Sequence, residues 1–197
     1  MSADSSPRDQ RFSQRRCAGQ IHAALEANHG DMTGAEHDVL RSLQRLAQQP
    51  DLLAVTLPRA SAHGLDGGWL YWDGEINILN ARFPEGIEVP VHDHGTWEIV
   101  GVYAGELEYR AYKRLDDGSC EGYADLELTD ERVLRAGEFS VVPPPPDDAH
   151  GFRPRNGEIT MIGVIHGQYG EERNYFDVEG RSCVRQSQFA WKRSLGR

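Results

Sequence analysis

From Asp51 onward the chain is written as short β-rich runs cut by Gly, Pro and Asp turns, and this texture constrains the fold more than any other feature. The runs are Gly68 to Trp72, Glu75 to Phe83, Val89 to His92, Trp97 to Tyr103, Glu106 to Lys113, Asp125 to Leu128, Phe139 to Pro143, Gly151 to Pro154, Ile159 to His166 and Asn174 to Val178. Many short strands at regular spacing predict an all-β barrel or double-sheet jelly roll. The run Pro143-Pro144-Pro145-Pro146 cannot donate ladder hydrogen bonds, so it is expected in a loop or at an edge, directly before Asp147-Asp148-Ala149-His150.

The preceding segment reads differently. Residues 1–10 are polar and look like a loose tail. The stretch from Arg11 to Gln49 has no proline, and Ile21, Ala24, Leu25 and Asn28 recur at helical spacing before a stop at Gly30. Thr33-Gly34-Ala35-Glu36 fits a capping box, followed by the apolar stripe Val39, Leu40, Leu43, Leu46 and a stop at Pro50. The expected organisation is therefore an N-terminal tail with two helices packed on the barrel, 1–50, and a barrel domain, 51–197.

Composition narrows the function classes. Lys plus Arg number 21 against 31 Asp plus Glu, a formal net charge of -10. That argues against a general nucleic-acid or anionic-membrane partner, since both attract basic surfaces. No apolar run approaches the ~20 residues that span a bilayer, and Met1 to Arg16 lacks the apolar stretch of a signal peptide. Cys17, Cys120 and Cys183 are odd in number, widely spaced and free of any CxxC, so no disulfide framework is expected. A cytoplasmic protein, monomer or homodimer, acting on a small molecule is the expectation.

The chemistry concentrates between Gly86 and Gly105, GIEVPVHDHGTWEIVGVYAG. His92-x-His94 in a strand would put both imidazoles on one face, because side chains alternate. Neutral imidazole is the commonest metal ligand. Glu98, four positions on, falls on the same face and can bring a carboxylate to the same ion. Gly105 suits a tight hairpin turn.

The pattern Gly86-x5-His92-x-His94-x3-Glu98-x6-Gly105 resembles the first motif of the cupin superfamily. Gly137 to Pro143 followed by His150 is similar to the second, with a longer spacing before the histidine. The resemblance covers about residues 69 to 178. It implies an all-β cupin double-stranded β-helix, with a metal held by His92, His94 and His150. Within the cupins, Pro90 to Trp97 resembles the thiol dioxygenases (cysteine dioxygenase and mercaptopropionate dioxygenase), which also carry helices before the barrel. Those enzymes hold non-haem Fe(II) with three histidines and add both atoms of O2 to a thiolate sulfur, giving a sulfinate.

By the same resemblance, His166 and Tyr169 correspond to a hydrogen-bonding pair beside the bound oxygen, although Val164 stands where a Ser is usual. Arg173, before Tyr175-Phe176-Asp177, corresponds to the arginine that holds the substrate carboxylate. Glu98 departs from the animal cysteine dioxygenases, which have a Cys at the aligned position. It restores the ordinary cupin set of three His and one Glu, which would serve manganese, nickel or iron in oxygenation or isomerisation of another small oxygenated substrate. A cupin that binds a small ligand without turnover is the third expectation.

Overall fold

The structure is a computed structural model that describes residues 12–58, 66–167 and 172–187. It divides into two compact units, Met1–Ala54 and Val55–Arg197.

In the first unit, α1 (Gln14–Ala27) and α2 (Met32–Ala47) pack against each other. Ser13 caps α1 by accepting from the Arg16 amide. The expected capping box at Thr33 and Glu36 does not form. Asp31 caps α2 instead, its carboxylate accepting from the Thr33 amide at 3.0 Å. The earlier start puts Met32 and Ala35 on the buried face with Val39, Leu43 and Leu46, and leaves Thr33 and Glu36 in solvent. Ser42 reaches across to Gln20 of α1 at 3.1 Å.

The second unit is one antiparallel hydrogen-bonded sheet that doubles into two halves. Its strands are β1 (Leu57–Pro58), β2 (Gly67–Trp72), β3 (Ile76–Phe83), β4 (Val89–His92), β5 (Glu98–Arg114), β6 (Leu126–Arg135), β7 (Phe139–Val142), β8 (Ala149–His166), β9 (Glu172–Asp177) and β10 (Ser182–Ser187). The pairing of β5 with β8 runs almost their full length and belongs to both halves. In one half, residues 159–166 of β8 lie between β3 and the start of β5, with β2 and β1 beyond β3 and β7 on the far side of β5. In the other, residues 149–155 of β8 lie between β4 and the end of β5, with β9 and β10 beyond β4 and β6 beyond β5. This is a double-stranded β-helix, a jelly-roll barrel.

Two expected turns are bends within single strands. Gly105 makes no hairpin; β5 continues through it at φ +93°. A Cβ there would meet the Glu158 carbonyl oxygen and the Ile159 side chain at 2.8 Å, so both the dihedral and the space require glycine. Opposite it, Asn156 and Gly157 also adopt positive φ and sit in a bulge of β8. The runs separated at these points in the sequence are therefore the two ends of β5 and the two ends of β8. β1 and β10 carry no clear run, and β6 extends well past the expected Leu128.

The main core forms where the halves face each other. Leu79, Phe83, Val100, Val102 and Met161 from one half meet Val89, Leu107, Tyr109, Leu134 and Phe152 from the other. Phe83 and Phe152 meet edge to face at 5.2 Å between centroids, the arrangement ring quadrupoles favour. The four-proline run lies in the loop between β7 and β8.

Candidate metal centre

The fold brings four of the expected ligands to one buried point. His92 closes β4 and His150 opens β8, and the two are direct partners in the β4–β8 ladder with rings 4.7 Å apart. Both are almost fully buried, at 3% and 1% exposure. β4 ends at His92, so strand alternation does not place His94. A turn does: Gly95, at φ +70°, bends the chain back, and its amide donates to the Asp148 carboxylate at 2.9 Å. The ring of His94 stacks on that of His150 at 5.3 Å. Glu98, the first residue of β5, enters from the other half of the barrel at 3% exposure.

One nitrogen from each of His92, His94 and His150 lies within 4.8 Å of the others. His94 Nε2 is 3.1 Å from His92 Nε2 and 2.8 Å from Glu98 Oε2. The Glu98 oxygen is 3.7 Å from His150 Nε2. Ligands held at about 2.1 Å from one ion and at right angles would be about 3 Å apart, so these separations suit a shared cation. Two further observations agree. His92 Nδ1 faces the Pro90 carbonyl at 2.9 Å and His150 Nδ1 faces the Asp148 carbonyl at 3.3 Å. Each carbonyl holds the Nδ1 proton, which leaves the Nε2 lone pair for the site. Moreover, His150 Nε2 is buried without a hydrogen-bond partner among the described residues, a cost that a bound ion would remove.

The electrostatics point the same way. Burial first, then the neighbouring imidazoles and Arg173, hold His92 well below the ordinary histidine value. Burial also lowers His150, against the opposing pull of Glu98. Both rings are therefore neutral at physiological pH, the form that ligates metals.

Arg173, on β9, is buried, and its Nη1 lies 3.3 Å from His94 Nε2. Tyr175, two residues on, stacks on His92 at 5.8 Å and is its partner in the β4–β9 ladder. Strand alternation thus sends both Arg173 and Tyr175 toward the histidines. His166 ends β8, stacks on Trp97 at 5.0 Å and meets Thr96 Oγ1 at 3.4 Å. Tyr169 lies outside the described residues.

Asp148 and Asp93 escaped the sequence reading. Asp148 holds the His94–Gly95 turn through its carboxylate and His150 through its backbone carbonyl. Burial pushes its carboxyl up. Asp93 ties the same turn to β9 by accepting from the Asn174 amide at 3.0 Å and its side chain at 2.6 Å. Their signal was positional, since each adjoins or nearly adjoins a ligand histidine. Tyr109 is also buried beside His150, its hydroxyl raised to about 12 chiefly by burial.

No protein-family model and no curated protein matches the chain. Solved structures resemble it in part. An RmlC-like cupin from Shewanella frigidimarina is 23% identical with a TM-score of 0.44, over 58% of this chain and 86% of that one. An RmlC-like cupin protein from Ralstonia eutropha is 18% identical with a TM-score of 0.43, over 71% of this chain and 78% of that one. The DMSP lyase DddQ from Ruegeria pomeroyi is 18% identical with a TM-score of 0.43, over 58% of each chain. The pairing of the long, bent β5 and β8 with two flanking sets of strands gives this chain its fold class, the double-stranded β-helix that the cupins share.

Proposed function

We propose that this protein is a metal-dependent enzyme in which His92, His94, His150 and Glu98 hold one divalent ion, and that it oxygenates or isomerises a small, oxygen-rich anion. The observation that carries this reading is the Glu98 carboxylate inside the histidine cluster, 2.8 Å from His94 Nε2 and 3.7 Å from His150 Nε2. A bound manganese, nickel or iron ion would supply Lewis-acid polarisation of a substrate oxygen. The protein's own groups do the rest. Three neutral imidazoles and one carboxylate offset only one of the ion's two charges, so the site favours an anion. The Arg173 guanidinium gives that anion an anchor, with two parallel N–H donors for a carboxylate. Burial of Arg173, His92 and His150 keeps water from competing for those contacts.

A second reading rests on Arg173 itself. A guanidinium 3.3 Å from a ligand nitrogen is close enough to hold the carboxylate of a short thiol acid whose sulfur lies at the centre. In that reading the protein is a non-haem Fe(II) thiol dioxygenase, and Glu98 supports His94 without joining the iron.

Metal analysis of the purified protein, with O2 uptake and product analysis over cysteine, 3-mercaptopropionate, β-diketones and enediols, separates the two. The four-ligand reading expects turnover without thiols, and at least a tenfold loss of metal affinity in Glu98→Gln. The thiol reading expects uptake only with thiol acids, and metal retention in that variant. In either case Arg173→Ala should lower kcat/KM about 30-fold on the anionic substrate and less on its amide. A tightly bound small compound without turnover of any of these would instead support a non-catalytic, ligand-binding protein of the same fold.

A further inference from the structure

Beside the metal centre stands a polar side chain that the ligand set leaves out. His150 pairs with Ala111 in the β5–β8 ladder, and Tyr109, two residues back along β5, shares the face of that pair. The Tyr109 and His150 rings lie 6.1 Å apart, and Tyr109 is fully buried. Its hydroxyl has no hydrogen-bond partner among the described residues. Ser140, from the other half of the barrel, offsets part of the effect of burial on that hydroxyl, but Ser140 Oγ is already engaged by Arg132 Nη2 at 2.9 Å. A buried phenol whose proton finds no acceptor costs stability until something else accepts from it.

The hydroxyl faces the same interior as the ligands. Val100 pairs with Ser140 and lies two residues from Glu98, so Ser140 and Glu98 line one inner face. Glu98 is near enough to oppose ionisation of the Tyr109 hydroxyl. Next to Glu98 the wall is bare. A Cβ at Gly163 would stand 3.9 Å from Glu98 Oε1 and 3.9 Å from the Leu79 side chain. Glycine at that position leaves the space of a methyl group open between the carboxylate and the core.

We infer that Tyr109 is a substrate-binding residue whose hydroxyl donates to a second oxygen of the substrate, and that the substrate is a short oxo acid; this rests on the reading that the centre holds a divalent ion and acts on an anion. The Arg173 guanidinium, 3.3 Å from His94 Nε2, takes the carboxylate, and Tyr109, beside His150, takes the oxo group. A carbonyl oxygen supplies the acceptor that the phenol lacks and brings no proton in need of a partner of its own. A substrate with a carboxylate alone would leave the Tyr109 proton unpaired, so the residue selects against it.

Calorimetric titration of the Mn(II)-loaded full chain with acetoacetate, and with butyrate as a control of like length and charge, tests this. The wild type should bind acetoacetate about fivefold more tightly than butyrate. Tyr109→Phe keeps the ring beside His150, and should weaken acetoacetate about fivefold while leaving butyrate and Mn(II) affinity unchanged. The metal-free variant should be no less stable in denaturant than the wild type, because the deleted hydroxyl had no partner among the described residues. Equal wild-type affinity for the two anions, unchanged acetoacetate affinity in Tyr109→Phe, an equal loss of both anions, or a lowered denaturant midpoint would each overturn the inference and leave the metal reading standing. A wild-type chain that retains no Mn(II) would overturn both.

Discussion

Strand β5 carries ionisable side chains at both ends, and the two ends put them to opposite uses. At its start, Glu98 is buried among three imidazoles, and the His150 Nε2 there has no hydrogen-bond partner among the described residues. Toward its end, Glu106, Glu108 and Arg110 meet Arg135, Arg153 and Glu131, each the direct ladder partner on β6 or β8. These cross-strand pairs complete one another in solvent; Arg110 and Glu131 are 37% and 56% exposed. Burial separates the two. A solvated pair is already satisfied and contributes little, whereas a buried cluster of neutral bases around one carboxylate is incomplete until something joins it.

The largest effect that would break this contrast is expected at His150. His150→Ala should lower affinity for a divalent ion at least a hundredfold in competition titration, since it deletes a ligand whose Nε2 has no hydrogen-bond partner among the described residues. Retained affinity would mean the cluster is a packing feature only. Asp148→Asn should cost about tenfold, because it weakens the hold on the Gly95 turn while sparing every ligand. An effect as large as that of His150→Ala would make the turn, and not the imidazoles, the decisive element.

Acid provides a third probe. His92 and His150 have folded values below the ordinary 6.5, so below about pH 6.5 the unfolded chain binds protons that the folded one refuses. The stability of the metal-free protein should then fall as pH drops from about 6.5 toward the folded values, by up to about 1.4 kcal/mol per pH unit for each histidine. Denaturant melts at pH 7, 6 and 5 measure this slope. His92→Gln should flatten it. The smallest effect belongs to the solvated pairs: Arg153→Ala should change stability by less than ~1 kcal/mol, and a larger loss would blur the distinction between the two ends of β5.

Much of this arrangement was legible in the sequence, for physical reasons that can be named. A two-residue histidine spacing and a glutamate four on survive as a local pattern because all three ligands sit on one short connection, from the end of β4 to the start of β5. His150 was legible through the glycine of the β6–β7 turn and the proline that opens the β7–β8 connection. The continuity of β5 and β8 was not, because a glycine at positive φ reads alike in a hairpin and in a bulge, and only the partner strand decides between them. Arg173 was marked by the resemblance alone, and its own surroundings in the sequence pointed elsewhere. Acidic neighbours in sequence suggest a surface ion pair, while the register of β9 against β4 turns Arg173 inward.

The shared strands carry one more consequence. Because β5 and β8 each run through both halves, the halves cannot part like two plates without tearing continuous backbone. Breathing of the barrel into two halves is therefore no route to the buried centre. Asp148 and Gly95 latch the connections 93–97 and 143–148 together beside that centre, through a hydrogen bond of 2.9 Å.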